Sequence, residues 1–209
     1  MKNIIISHIA ENKKKYLLLI FIFIIGVILG FIFLRVLPKK NSEELLNFLN
    51  DTFNSILSSE KKFNSLAYFY SSMLEDLKLY LCLYILGFSY LGMIFSPLLI
   101  LLKGFVLGFT NFFIMTSYNS RGLLYNFLAL VPQNLISLLP FLLLCVIIIS
   151  FQSKISAWGK TNGYTSEKSS YYLIYSVMVL VSFMLNLACL AFESFITPKL
   201  VFLLTQNMV

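Results

Sequence analysis

The chain has 209 residues, of which 59% are hydrophobic and 12% charged, with a net charge of +7. A soluble domain of this length carries about a quarter charged residues, so the composition excludes a water-soluble fold. The alternation of apolar and polar residues that a lipid-facing barrel needs is absent as well. What remains is an all-α polytopic membrane protein, read as one integral membrane domain over residues 1–209. A hydrocarbon core of about 30 Å takes about 20 apolar residues per helical crossing.

The first predicted crossing covers residues 16–34. Lys13, Lys14 and Lys15 precede it, and Pro38 with the charged stretch after it ends it. It is too long for a signal-peptide core and has no small-residue cleavage site, so it reads as an uncleaved anchor. His8, the one histidine, reads as a solvated residue ahead of it. Residues 39–76 form the one sizeable polar segment. Leu45, Leu49, Phe53 and Ile56 recur at spacings of four, four and three, which is a helical stripe. Glu60-Lys61-Lys62 reads as a break, and Phe63, Leu66 and Phe69 as a second short helix. This amphipathic segment is expected outside the cytoplasm, either covering the rim of the bundle or docking a partner.

The second crossing is expected over about 77–95, with a turn at Ser96-Pro97, since proline restricts the residue before it and starts a helix well. The third follows over 98–117, and residues 118–122 are the next turn. The fourth lies within 123–151 and is interrupted at Pro132. Residues 152–170 read as a polar loop. The fifth crossing covers about 171–192, and the apolar tail 197–209 is expected to lie along the interface. The expected architecture is therefore five transmembrane helices, the fourth broken at Pro132.

Cytoplasmic loops hold the excess of Lys and Arg. With the N-terminus inside, the inner segments hold eight basic residues against Glu11 and Glu167, a net +6. The outer segments come to +1, with eight basic residues against seven acidic. The N-terminus is thus expected in the cytoplasm and the C-terminus outside. The basic balance is a topology signal and not a nucleic-acid footprint.

Polar residues inside an apolar run are costly in lipid and mark sites that do something. Gly26 and Gly30, and again Gly104 and Gly108, stand one turn apart, a spacing that lets helices approach closely. Gly104, Gly108 and Asn111 share one helix face, where Asn111 can hydrogen-bond across the contact. That face is a seam within the bundle, a homodimer interface or part of a transport path. Lys103 is placed near the inner edge, where its amine either snorkels to the headgroups or meets carbonyls freed near Pro132. A proline inside a helix frees a backbone carbonyl, and Gln133 and Asn134 follow at once. The arrangement expected is a short helix over 122–130, a break, and a long helix over 133–156. It is either a self-satisfied kink or a re-entrant element facing a cavity or partner. Ser182, Asn186, Cys189 and Glu193 fall on one face of the fifth crossing. Glu193, shortly before Pro198, is either paired with Arg121 or a coupling carboxylate.

Three phrases carry a resemblance. They are Lys103-Gly104-Phe105-Val106-Leu107-Gly108-Phe109, Leu130-Val131-Pro132-Gln133-Asn134-Leu135 and Glu193-Ser194-Phe195-Ile196-Thr197-Pro198. Their order and separation resemble the stage II sporulation protein M family of endospore-forming bacteria, over most of the chain from about Leu79 onward. The resemblance implies a multi-pass protein of the mother-cell septal membrane that acts in engulfment. It implies recruitment of two peptidoglycan-processing partners, the stage II sporulation proteins P and D. The outer segment 39–76 shows no motif that matches, so no partner-binding residue is carried over to it.

Catalysis is not expected. An intramembrane protease needs a serine–histidine pair, two aspartates or a helical zinc motif, and none is legible. Cys82, Cys145 and Cys189 lie in apolar runs without metal-ligand spacing, which favours inert packing over redox or metal chemistry. No cofactor and no metal site is expected. The competing reading is a permease-like subunit of a membrane transporter, for which the broken fourth crossing and the intramembrane polar residues speak. Against it, only one broken helix is found and no internal repeat.

Overall fold

The computed structural model describes residues 10–58, 65–126, 131–160 and 167–205. Among them the chain is helical, in six helices: α1 (Lys13–Val36), α2 (Lys39–Ser58), α3 (Ser65–Leu86), α4 (Tyr90–Tyr125), α5 (Val131–Lys160) and α6 (Glu167–Thr205). His8 and the expected break at Glu60-Lys61-Lys62 lie outside the described residues.

The centre of the bundle is α5. Every residue from Phe141 to Ile148 is buried, so this helix is apolar all round because it is enclosed all round. By contrast, α1 turns Leu17, Phe21, Ile24 and Ile28 outward, as a helix facing acyl chains does. Helices α1 and α4 form one close pair, α4 and α6 flank α5, and α3 packs on α6.

Helix directions follow from the contacts. Lys15 near the start of α1 bonds Ser150 toward the end of α5, and Tyr90 at the start of α4 meets Ser156. On α3 and α6, Tyr68 bonds Glu193 and Tyr84 bonds Ser176. Hence α1, α4 and α6 run one way, and α3 and α5 the other. Lys13, Lys14, Lys15 and Lys154 gather at one end, called the basic end here. Arg35, α2 and Glu193 lie toward the far end.

Four helices are long and apolar enough to cross a membrane: Lys13–Val36, Tyr90–Tyr118, Asn134–Ala157 and Ser170–Phe195. By length and composition that is four, not the expected five. The missing one is α3, which has the length but carries Glu75, Asp76 and Lys78. The polar segment also divides differently. Its first part is the amphipathic α2, whereas residues from Ser65 onward are continuous with α3.

Several expected breaks move. The turn between α3 and α4 falls at 87–89, not at Ser96-Pro97. There the Gly87 N–H donates to Leu83, and the Ser89 hydroxyl to the Leu86 carbonyl at 3.0 Å. Gly92 permits this turn, because a Cβ on it would stand 2.9 Å from Gly87 Cα. Pro97 lies inside α4 instead. The buried Ser96 just before it donates to the Gly92 carbonyl at 2.7 Å, the local side-chain help that lets a membrane helix carry proline.

The second break is subtler. Helical hydrogen bonding runs through 118–122, where a turn was expected. Yet Gly122 packs on the carbonyl of Ile114, and Asn126 Nδ2 donates to the Asn111 carbonyl at 2.5 Å. In a straight helix these pairs would lie about 12 and 22 Å apart along the axis. The end of α4 therefore doubles back on itself. The long helix expected after the break at Pro132 is α5, which starts two residues earlier than the expected 133. Pro132 is the second residue of α5, where the absent N–H is one the helix would leave unpaired anyway. The stretch 127–130 between the two lies outside the described residues. Finally, α5 and α6 consume most of the expected polar loop, and α6 continues through Pro198 to Thr205 rather than ending near Phe192.

Candidate functional site

Two glycine pairs meet each other. A Cβ on Gly26 would strike the Leu101 carbonyl, and one on Gly30 the Phe105 carbonyl. From the other side, a Cβ on Gly104 would strike the Phe23 carbonyl, and one on Gly108 would stand 2.8 Å from Val27 Cα. The two backbones touch over two helical turns, with no side chain between them. Rings flank the contact, Phe33 against Phe105 at 5.6 Å and Phe31 against Phe112 at 4.4 Å. Asn111 continues the same face but does not bond across it. Its Nδ2 donates to Leu107 of its own helix at 2.8 Å, its carbonyl accepts from Asn126, and its Oδ1 is buried without a partner among the described residues. Asn111 thus holds the doubled-back end of α4 and not the seam.

Lys103 departs from its expected place. It stands 13 residues from Tyr90, about 20 Å along the axis, and so near mid-depth rather than at an edge. Its Nζ lies 4.2 Å from the centroid of the Phe141 ring, an arrangement in which the ring's negative face attracts the cation. The amine has no hydrogen bond or ion pair among the described residues. It lines a cavity of about 290 Å³ between α4 and α5, with Asn134 and Ser137 across from it. The Ser137 hydroxyl donates to the Asn134 carbonyl at 3.1 Å. Pro132 is exposed at the head of the same helix. The side chains of Gln133 and Pro198 lie outside the described residues.

The face expected on the last crossing finds its partners on α3. Asn186 donates to the Asp76 carboxylate at 2.7 Å, and Glu193 accepts from the Tyr68 hydroxyl at 3.1 Å. Ser182 is fully buried and donates to the Pro140 carbonyl of α5 at 2.7 Å. Tyr80 is 4% exposed, and its hydroxyl lies beside that of Ser182, whose own proton goes to Pro140. The Arg121 side chain lies outside the described residues, so the pair expected with Glu193 is not described. Asp76 and Glu193 are the acidic groups whose field reaches Lys103. Asp76 and Asn186 thus meet across the middle of the bundle, while Tyr68 and Glu193 meet about 10 Å nearer its far end. This arrangement can hold helices together and places one amine, that of Lys103, between α4 and α5. Among the described residues no group of three or more His, Cys, Asp or Glu is placed to hold a metal ion.

Sequence reasoning missed Asp76, Tyr80 and Tyr84. A signal was present, since Tyr68, Ser72, Asp76, Tyr80 and Tyr84 recur at every fourth position, a polar stripe along one helix face.

No curated protein matches the chain, and neither does any solved structure. The family model for stage II sporulation protein M does, over residues 19–198. That interval runs from the first turns of α1, through both glycine pairs and the Lys103 cavity, to Pro198 on α6. A polytopic all-helical membrane chain matched over nearly its whole length belongs to the stage II sporulation protein M family.

Proposed function

We propose that this chain is a non-enzymatic membrane scaffold that recruits and anchors peptidoglycan-remodelling proteins at the septum, for engulfment during sporulation. The family match carries this reading. Family resemblance further suggests the stage II sporulation proteins P and D as the recruited partners, with the mother-cell septal membrane as the location. The bundle also suits such a role. Asp76, Ser182, Asn186 and Glu193 hold helices together, and no nucleophile–base pair is legible among the described residues.

In this reading α3 is the fifth crossing. It runs antiparallel along α6 from Tyr68 to Tyr84, about 24 Å of helix. Asp76, on which the composition count fails, is bonded to Asn186. Five crossings with the positive-inside bias put the N-terminus in the cytoplasm and α2 outside. Cysteines introduced singly at Ser59 and Ser166 test this with an impermeant thiol reagent on intact cells. Ser59 is expected to label and Ser166 to stay protected; the reverse pattern would invert the topology.

Deletion of the gene tests the function. Cells are expected to arrest after the polar septum forms, with the septal wall incompletely thinned and the hydrolytic partner no longer concentrated there. Vegetative growth should stay near normal. A permease-like subunit is the second reading, favoured by the cavity in which Lys103 faces Asn134 and Ser137. Normal engulfment in the deletion strain, with the partner still at the septum, would put that reading ahead.

A further inference from the structure

At the basic end, α1, α5 and α6 surround a second and larger cavity, about 540 Å³. Its polar part is organised. Lys15 Nζ donates to Ser150 Oγ at 2.9 Å, and that hydroxyl donates to Asn12 Oδ1 at 2.8 Å. Lys154 Nζ sits 5.0 Å from the centroid of the Tyr171 ring. The two ammonium groups repel each other across the cavity, and neither pairs with a carboxylate among the described residues. Glu11 is the one acidic residue in the lining, while Lys13 and Lys14 stand exposed beside it. An anion between Lys15 and Lys154 would relieve that repulsion.

The rest of the wall says what kind of anion. Below the lysines the lining turns apolar, with Ile147, Ile174 and Met178. Ile174 is 51% exposed on the outer face of α6, which lies within a candidate membrane span. The cavity is therefore continuous with the surface that meets acyl chains. Charged groups at headgroup level with an apolar groove leading inward are the two halves of an anionic phospholipid. Basic pockets between transmembrane helices bind such headgroups.

We propose that this cavity is a specific site for an anionic phospholipid, with its phosphodiester between Lys15 and Lys154 and an acyl chain along Ile174 and Met178. A free phosphate would use the lysines but leave the apolar groove empty. A zwitterionic lipid would bring its own cation toward the two ammonium groups.

The test uses the purified full-length chain in neutral detergent, titrated separately with phosphatidylglycerol, phosphatidylcholine and inorganic phosphate. Lipid binding is read by native mass spectrometry and by the shift in melting temperature. Phosphatidylglycerol is expected to bind at least tenfold tighter than phosphatidylcholine and to raise the melting temperature, with inorganic phosphate leaving it unchanged. A lysine near an anionic surface contributes about fivefold in affinity. Lys15→Gln with Lys154→Gln should thus lose about twenty- to thirtyfold, with phosphatidylcholine binding unchanged. Should the double variant fail to fold, Lys154→Gln alone, at an exposed position, should lose about fivefold. Equal binding of the two lipids, an undiminished preference in the variants, or an equal melting shift from inorganic phosphate would each overturn the proposal.

Discussion

The α1–α4 seam and the α3–α6 face both hold helices together through the middle of the bundle, from opposite materials. The seam has no side chains at its centre. Four glycines bring one backbone against the other, and dispersion between closely packed atoms provides the attraction. The α3–α6 face is all side chain: a carboxylate to an amide, a carboxylate to a phenol, a tyrosine to a serine. Interhelical hydrogen bonds in membranes average only about 0.6 kcal/mol each, because the separated helices find other polar partners. The seam tolerates no added atom. The polar face can lose a bond and keep its packing, with Tyr84 still stacked on Tyr175 at 5.4 Å.

The sharpest way to break this contrast is at the seam. Gly108→Leu should destabilise the chain by about 3 kcal/mol or more, the upper range for overpacking, because the obstacle is the backbone of Val27 and cannot move aside. Gly104→Leu should behave alike. Val106→Leu, on the exposed side of the same helix, should change little. Unfolding in a denaturing detergent titration reads all three. Equal stabilities would mean that the two backbones do not meet.

A smaller effect is expected on the other face. Asn186→Leu removes the partner of Asp76 and should cost about 1–2 kcal/mol, in the same titration. Asp76→Asn in that background should recover part of the loss, since an amide is cheaper than a carboxylate to leave unpaired. If the second substitution recovers nothing, the two side chains do not act as a pair.

The smallest change has the opposite sign. Tyr80→Phe deletes a buried hydroxyl that makes no well-formed hydrogen bond among the described residues, so it should leave stability unchanged or raise it by up to about 1 kcal/mol. A clear loss would show that the hydroxyl is bonded in the membrane, through water or lipid.

How legible these regions were follows from the same difference. The glycine pairs were readable because their meaning is local: small residues one turn apart allow close approach whatever the fold. The membrane class was readable from the charge deficit for a similar reason. The partner of the glycine face was not, since helix pairing depends on the whole bundle. Helix α3 was misread for a physical reason. Glu75, Asp76 and Lys78 look like the end of a solvated segment, and nothing in a linear reading reveals that Asn186 waits 110 positions later. Pro97 and Pro132 were not equally legible. The first was taken as a breaker and lies inside a helix, where Ser96 helps it. The second was read as a break before a long helix, and it stands at the start of α5. The face of Ser182, Asn186 and Glu193 was legible from spacing, whereas the mid-depth position of Lys103 had to await the true start of α4 at Tyr90.

The backbone contact between α1 and α4 has a mechanical consequence. Helix α2 leaves the top of α1 through Leu37 and Pro38 alone, with Leu37 extended and its N–H tied to Leu34. It spans 20 residues, about 30 Å of helix, and touches α6 as well. A single membrane helix makes a poor mount for such an arm, since it can tilt and rotate in the bilayer. Here the mount is two helices fused at their spines, and Tyr118 of α4 also grips Asn50 along the arm at 2.5 Å. A pull on α2 is therefore taken up by a braced post, and the fulcrum stays in place while the load moves.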